Sequence, residues 1–244
     1  IERERATQRE KRLRSDIPKV ALVGYTNAGK STLMNRMLEL NENPDEGKKV
    51  YEEDKLFATL DTTVRKIMPK GRKPILLSDT VGFINELPHS LVKAFRSTLE
   101  EVQYADLLLQ VIDYSDPHYR ECMKVTEETL KEIGAAGIPM ICIYNKADKI
   151  EDLPFPIPAV RMNNMFMSAR EGKGITELLD LIEEKFRENA REAGFLLPYA
   201  DGKALHELQE LAEVLSTEYR DDGVFVSARC RKEVISRFEK YRLS

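Results

Sequence analysis

Gly24-Tyr25-Thr26-Asn27-Ala28-Gly29-Lys30-Ser31 fits the spacing G-x-x-x-x-G-K-[ST] at every fixed position. The chemistry open to such a stretch is holding phosphate. Glycines let the backbone curl, so that successive N–H groups point inward. Lys30 adds a positive charge for the outer phosphates, and the Ser31 hydroxyl is a hard oxygen ligand for Mg²⁺. A chance glycine-rich turn could carry the same letters, so the flanks decide. Val20-Ala21-Leu22-Val23 before the loop is an apolar run of the kind that forms a buried parallel strand. Thr32 to Leu38 after it has helical spacing. A strand, loop and helix in that order bring the helix's unpaired N–H groups and positive dipole end, Thr32 included, against the phosphates.

Two further stretches extend this chemistry. Ile75-Leu76-Leu77-Ser78 reads as a buried strand delivering Asp79-Thr80-Val81-Gly82-Phe83, a D-x-x-G spacing. Asp79 is placed to hold Mg²⁺ through water, and the Gly82 N–H to sense a terminal phosphate. D-x-x-G is common by itself; its place after a phosphate loop gives it force. Pro139 to Tyr144 reads as another buried strand and ends in Asn145-Lys146-Ala147-Asp148. Ligands of α/β sheets bind at such strand ends. A carboxylate there accepts from the N1–H and the exocyclic amine of guanine, a donor pair that adenine lacks. A mismatched base leaves a buried charge unpaired. Asp148 is therefore the expected specificity residue, with Asn145 bracing neighbouring loops and Lys146 packing over the base. Met165-Phe166-Met167 reads as a strand leading to Ser168-Ala169-Arg170, whose backbone N–H groups are expected at the guanine O6.

These residues need a scaffold. Asn41 to Lys55 is polar, with Pro44 and Gly47, and reads as a loop continuing to Thr63. Such a loop is where a threonine should cover the metal, and Thr59, Thr62 and Thr63 are the candidates. Thr59 is favoured because it stands clear of the Val64–Pro69 strand, which must form before Asp79. A tight turn joins that strand to the next, so it should be an antiparallel edge. Ser90–Val102 has a helical apolar stripe, and Asp106–Ile112 is a nearly continuous apolar strand. Glu121–Ile133 is an amphipathic helix closed by Gly134. Leu153–Pro158 is a proline-rich connection, and Gly174–Arg191 a long amphipathic helix. Strands alternating with helices define an α/β fold with a mostly parallel sheet. The pattern changes at Ala193-Gly194. Phe195–Tyr199 and Gly223–Ala228 then read as strands, and Ala204–Ser216 and Lys232–Tyr241 as helices, which makes a small α+β unit. The expected organisation is a charged helix end over 1–15, a nucleotide-binding domain over 16–193 and a small domain over 194–244.

Composition narrows the class. The chain has 244 residues, 42% of them hydrophobic, enough for a sizeable core. Its net charge of −4 gives no global basic signature for nucleic acid. No apolar run approaches the roughly 20 residues that cross a bilayer. The start lacks Met and reads as the cut end of a longer protein. Cys122, Cys142 and Cys230 have no C-x-x-C spacing and read as reduced thiols of a cytosolic protein. His89, His118 and His206 have no metal-ligand spacing and read as ordinary surface or capping residues. Arg229, Arg231, Lys232, Arg237, Lys240 and Arg242 form a basic cluster, read either as a contact for RNA phosphates or as a solvated face.

The fuller wording of Gly24–Ser31, Leu56-Phe57-Ala58-Thr59-Leu60-Asp61, Asp79–Ile84 and Ala94-Phe95-Arg96-Ser97-Thr98-Leu99-Glu100 resembles the HflX family of GTPases. The resemblance runs from residue 17 to the end, and 1–15 looks like the last turns of the family's N-terminal helical domain. It implies a phosphate-loop GTPase fold and slow GTP hydrolysis, stimulated by the ribosome. It also implies association with the large ribosomal subunit, through its RNA and proteins, in splitting or rescue under stress. It further implies a cytoplasmic location, and the chain is expected to be a monomer. GTP or GDP and Mg²⁺ are the implied ligands, with Lys30, Thr59 and Gly82 in catalytic roles and Ser31, Thr59 and Asp79 at the metal. Phe57 to Asp61, Asp79 to Gly82, Asn145 to Asp148 and Ser168 to Arg170 join the loop itself as nucleotide contacts. Thr62 departs from the family wording, which has Pro there. Phe83 stands where many relatives carry a water-orienting Gln. Asn27 sits where some relatives hold K⁺ beside the phosphates, so K⁺ is a further expected ion. Two other readings keep the same phosphate machinery. One is a GTPase of ribosome assembly or RNA modification, the other an RNA-binding module with vestigial GTP turnover.

Overall fold

The computed structural model describes residues 17–41, 63–80 and 102–243. The chain divides into two compact units, one of residues 18–178 and one built from residue 179 onward. The first holds a seven-stranded sheet in the order β2-β3-β1-β4-β5-β7-β6. Its strands are β1 (Lys19–Val23), β2 (Thr63–Ile67), β3 (Ile75–Asp79), β4 (Leu107–Asp113), β5 (Met140–Asn145), β6 (Ala159–Arg161) and β7 (Asn164–Phe166). The helices are α1 (Lys30–Leu38), α2 (Tyr119–Glu132) and α3 (Ile175–Glu188), the last running into the second unit.

β1 pairs in parallel with β3 on one side and β4 on the other. Val20, Ala21, Leu22 and Val23 are all buried, as a central strand covered on both faces requires. Ala21, Val23 and Leu108 form one core cluster with Leu130 of α2, together with Val102 and Ala135. The chain leaves β1 toward β3 and later returns to β4 on the opposite side. The carboxyl end of β1 is thus the switch point where α/β sheets bind ligands.

β2 pairs antiparallel with β3, as the short turn after it requires. The sequence pattern predicts one antiparallel edge, but β6 makes a second, against β7. β6 follows the proline-rich connection directly. In its crossover the chain puts this short hairpin where a helix would be usual. Phe155 from the proline-rich stretch meets Phe166 at 4.8 Å, and Tyr144 stacks on Phe166 at 4.6 Å. Aromatic rings thus cover the face of β5 on which Met140, Cys142 and Tyr144 are half-buried.

The second unit carries a three-stranded antiparallel sheet, β8 (Arg191–Leu197), β10 (Gly223–Cys230) and β9 (Glu213–Arg220), in that order. Helices α4 (Gly202–Leu211) and α5 (Lys232–Arg237) supply the rest. Phe195, Leu208, Val226, Val234 and Phe238 form its core. Several boundaries differ from the sequence reading, and α5 stops at Arg237 where a helix to Tyr241 is expected. α3 ends at Glu188 and β8 begins at Arg191, where the helical spacing still runs. α4 ends at Leu211, and Glu213–Ser216, expected as helix, opens β9. The expected helix Ser90–Val102, Val102 excepted, and the loop from Glu42 to Thr62 lie outside the described residues.

Candidate functional site

The loop from Gly24 to Gly29 leaves the tip of β1 and turns into α1. Its glycines are dictated by space. Gly24 has φ +138°, and a Cβ there would lie 2.2 Å from the Val111 carbonyl oxygen. Gly29 has φ +99°, and a Cβ would lie 2.3 Å from the Asn145 side-chain nitrogen. No side chain caps the first turn of α1, so its N–H groups face the loop's concavity free of a capping oxygen. Lys30 is buried, and its Nζ donates to the carbonyls of Gly24 at 3.0 Å and Tyr25 at 2.9 Å. Burial lowers its pKa to about 8, against the opposing pull of the Asp79 carboxylate.

Parallel pairing of β1 and β3 sets Asp79 beside Leu22, next to the root of the loop. The Ser31 hydroxyl donates to Asp79 Oδ2 at 2.6 Å. Burial raises the Asp79 pKa, and the Ser31 bond and Lys30 charge pull it back. The other carboxylate oxygen, Oδ1, is buried with no hydrogen-bond partner among the described residues. A buried carboxylate oxygen without a donor, next to a serine hydroxyl, suits a hard cation. Among the described residues no group of three or more His, Cys, Asp or Glu could hold a metal. An ion at Ser31 and Asp79 would therefore complete its shell with phosphate and water, as Mg²⁺ does. The Thr80 hydroxyl donates to the Leu22 carbonyl at 2.6 Å and ties β3 to β1.

The base side is assembled from three segments. Buried Asn145 donates from Nδ2 to the Ala28 carbonyl at 2.9 Å and accepts from the Ala169 N–H at 2.9 Å. It thus joins the phosphate loop to the 168–170 loop. Lys146, at φ +59°, donates from Nζ to the Asn27 carbonyl at 2.7 Å and to Asp113 at 2.6 Å. Asp113 in turn accepts from the N–H and hydroxyl of Ser115. Burial raises the Asp113 pKa, but the bonds from Lys146 and Ser115 outweigh it and leave the carboxyl below its ordinary value. Ala147 is buried, and its N–H donates to the Met167 carbonyl at 3.1 Å. Asp148 Oδ1 is the second buried oxygen without a donor among the described residues.

Of the amides expected at O6, that of Ser168 donates to the Lys173 carbonyl and that of Ala169 to Asn145. Thr59, Gly82, Val81 and the stretch Phe57–Asp61 lie outside the described residues. Thr63, an alternative to Thr59, opens β2 opposite Asp79. Two members of this network escape the sequence motifs. Asp113 ends β4 beside Asn145, so the strand-end rule applied to β4 would have found it. Arg36, which donates to the Ala169 and Arg170 carbonyls, carries no motif.

A mostly parallel sheet with this loop at its switch point, a carboxylate–hydroxyl pair beside it and, just past the tip of β5, an acid with a buried oxygen defines a phosphate-loop nucleotide-binding domain of the GTPase type. The model of the family described as "50S ribosome-binding GTPase" matches residues 19–146. The chain belongs to that family. It is 42% identical to the GTPase HflX of Caldanaerobacter subterraneus over all of this chain and 54% of that protein. It is 44% identical to the GTPase HflX of Spirochaeta thermophila over 93% of this chain and 53% of that one. The chain thus spans about half the length of these relatives, and the resemblance carried by the motifs is borne out. Among solved structures it is similar to a GTP-binding protein of Sulfolobus solfataricus in complex with GDP. That likeness has a TM-score of 0.52 and 27% identity, over 74% of this chain and 55% of the other. No helix among the described residues is long and apolar enough to cross a membrane.

Proposed function

We propose that this chain binds GTP and GDP with Mg²⁺, hydrolyses GTP slowly and serves as a switch on the large ribosomal subunit in ribosome splitting or rescue. The observation that carries the nucleotide reading is Asp148. Its buried, donorless oxygen stands at the strand tip where the two donors of guanine would satisfy it. Lys30 exchanges the carbonyls of Gly24 and Tyr25 for phosphate oxygens, and Lys146 lies over the base. Ser31, Asp79 and Thr59 would hold Mg²⁺, which when bound would neutralise phosphate charge. Gly82 senses the γ-phosphate, and ordering of Thr59 and Gly82 presents the docking surface. Phe83 has no group to orient water, so turnover of the isolated chain is slow, and Asn27 would hold a K⁺ that supplies compensating charge.

The ribosomal reading draws on the family description and on the HflX relatives. The pairing of the C-terminal basic residues argues against a separate RNA-binding module. Arg229 is bonded to Glu192 and Glu213, Arg237 to Glu207, Arg242 to Glu239, and Lys240 lies 3.8 Å from Asp201. Titration calorimetry tests the nucleotide site: GDP should release heat and ADP should not, and Asp148→Ala should abolish that preference. No heat with GTP or GDP, or an unchanged preference in the variant, would reject the reading. Co-sedimentation with large ribosomal subunits should be strongest with a non-hydrolysable GTP analogue. Binding indifferent to nucleotide would reject the switch.

A further inference from the structure

We propose that Arg36 is a positioning residue for the guanine base, acting through the peptide that joins Ala169 to Arg170. Its guanidinium is spread over three acceptors. Nε donates to the Ala169 carbonyl at 3.2 Å, Nη2 to the Arg170 carbonyl at 2.7 Å and Nη1 to Glu39 at 2.8 Å. Gripping two consecutive carbonyls takes a planar fork of fixed spacing, which arginine has and lysine lacks. A peptide unit is rigid and planar, with its C=O and N–H pointing in opposite directions. Holding the Ala169 carbonyl therefore also sets the direction of the Arg170 N–H. That amide matters because the Ser168 and Ala169 amides are already committed to Lys173 and Asn145. The Arg170 N–H is thus the member of the trio left to meet O6. Asn145 holds the neighbouring Ala169 N–H, so this short loop is pinned at successive backbone groups by Asn145 and Arg36. Arg36 also lies on α1, the helix that begins with Lys30 and Ser31. One helix thereby serves the phosphates with its first turn and the base with a residue further along.

The inference rests on the guanine site proposed above, and the test separates the two. The release rate of a fluorescent GDP analogue is measured for the wild-type chain, Arg36→Met and Arg36→Lys. Competition with GDP and with 6-thioguanosine diphosphate, which keeps the N1–H and the amine but puts a weakly accepting sulfur in place of O6, is measured beside it. Arg36→Met keeps the side-chain stem without the donors and should release the GDP analogue about tenfold faster, on the scale of a charged hydrogen-bond pair. Arg36→Lys should fall between the two. The loss of affinity should be seen in full with GDP and be much smaller for the 6-thio nucleotide. An unchanged release rate, or an equal loss for both nucleotides, overturns the assignment. Should Arg36→Met fail to fold, Arg36→Lys carries the same comparison, since it keeps charge and stem and reaches one carbonyl. If the wild-type chain itself binds no GDP, the guanine site falls and not merely the role of Arg36.

Discussion

Lys30 is the residue on which the phosphate side turns, and its environment makes a pH prediction. Its folded pKa of about 8 lies below the ordinary lysine value of 10.5 because burial penalises the ammonium. The folded chain loses that proton first as pH rises, so the cost of burying the ammonium is relieved and stability rises between about 8 and 10.5. Nucleotide phosphates favour the charged form. Affinity for GDP should therefore fall as pH rises above about 8, with proton uptake on binding. Calorimetry at pH about 8.5 in two buffers of different ionisation enthalpy would read that uptake directly. Lys30→Arg cannot deprotonate and should show none. On the base side, Asp113 neutralises Lys146 across a partly buried pair. Asp113→Asn keeps the shape and removes the counter-charge. GDP affinity should drop about tenfold, or about 1.4 kcal/mol, by the same calorimetry, with little change in melting temperature.

Elements carry the next constraints, and the glycines separate fold from site. Gly24→Ala forces a Cβ against the Val111 backbone of β4, at 2.2 Å and φ +138°. It should cost more than about 2 kcal/mol in denaturant unfolding, since backbone on both sides must move. The contact at Gly29 is with a side chain, Asn145. Gly29→Ala should keep the fold and lose nucleotide affinity, because Asn145 must give up its bond to Ala28. Gly71, at φ +73° with nothing within 4 Å of an added Cβ, is the control for strain alone. The same contrast explains what could be read from the letters. β1 is buried on both faces, so it appears as an unbroken apolar run, and its loop is fixed by steric rules that only glycine meets. β9 is hidden because Leu205, Leu208, Ala212 and Leu215 keep helical spacing past the true end of α4. Pairing with β10 overrides that spacing, and Ala212 turns to extended φ/ψ of −124° and 159°. β6 spans three residues, too few for alternation to show. Arg36 is invisible because its partners are carbonyls over 130 residues away, contacts that no local spacing encodes.

At the scale of the molecule, α3 belongs to both compact units, which divide between Leu178 and Leu179. The domain boundary proposed from sequence, near residue 193, leaves that helix whole. Leu178, Leu179, Leu181 and Ile182 are all buried, so a cut inside it would bare an apolar stripe in mid-helix. Removing several such side chains costs about 2–5 kcal/mol each, comparable to the whole stability of a domain. Every described residue of the nucleotide site lies between Gly24 and Arg170, and the second unit has a core of its own around Phe195 and Phe238. A chain ending at Asn189 should therefore melt cooperatively and bind GDP within about twofold of the full chain, since no site contact is lost. A chain ending at Leu178 should fail to fold. Melting curves and GDP calorimetry on the two truncations check both outcomes. If the chain ending at Asn189 lost GDP binding while still melting cooperatively, the second unit would have to contribute to the site, and the boundary near 193 would be wrong as a functional division.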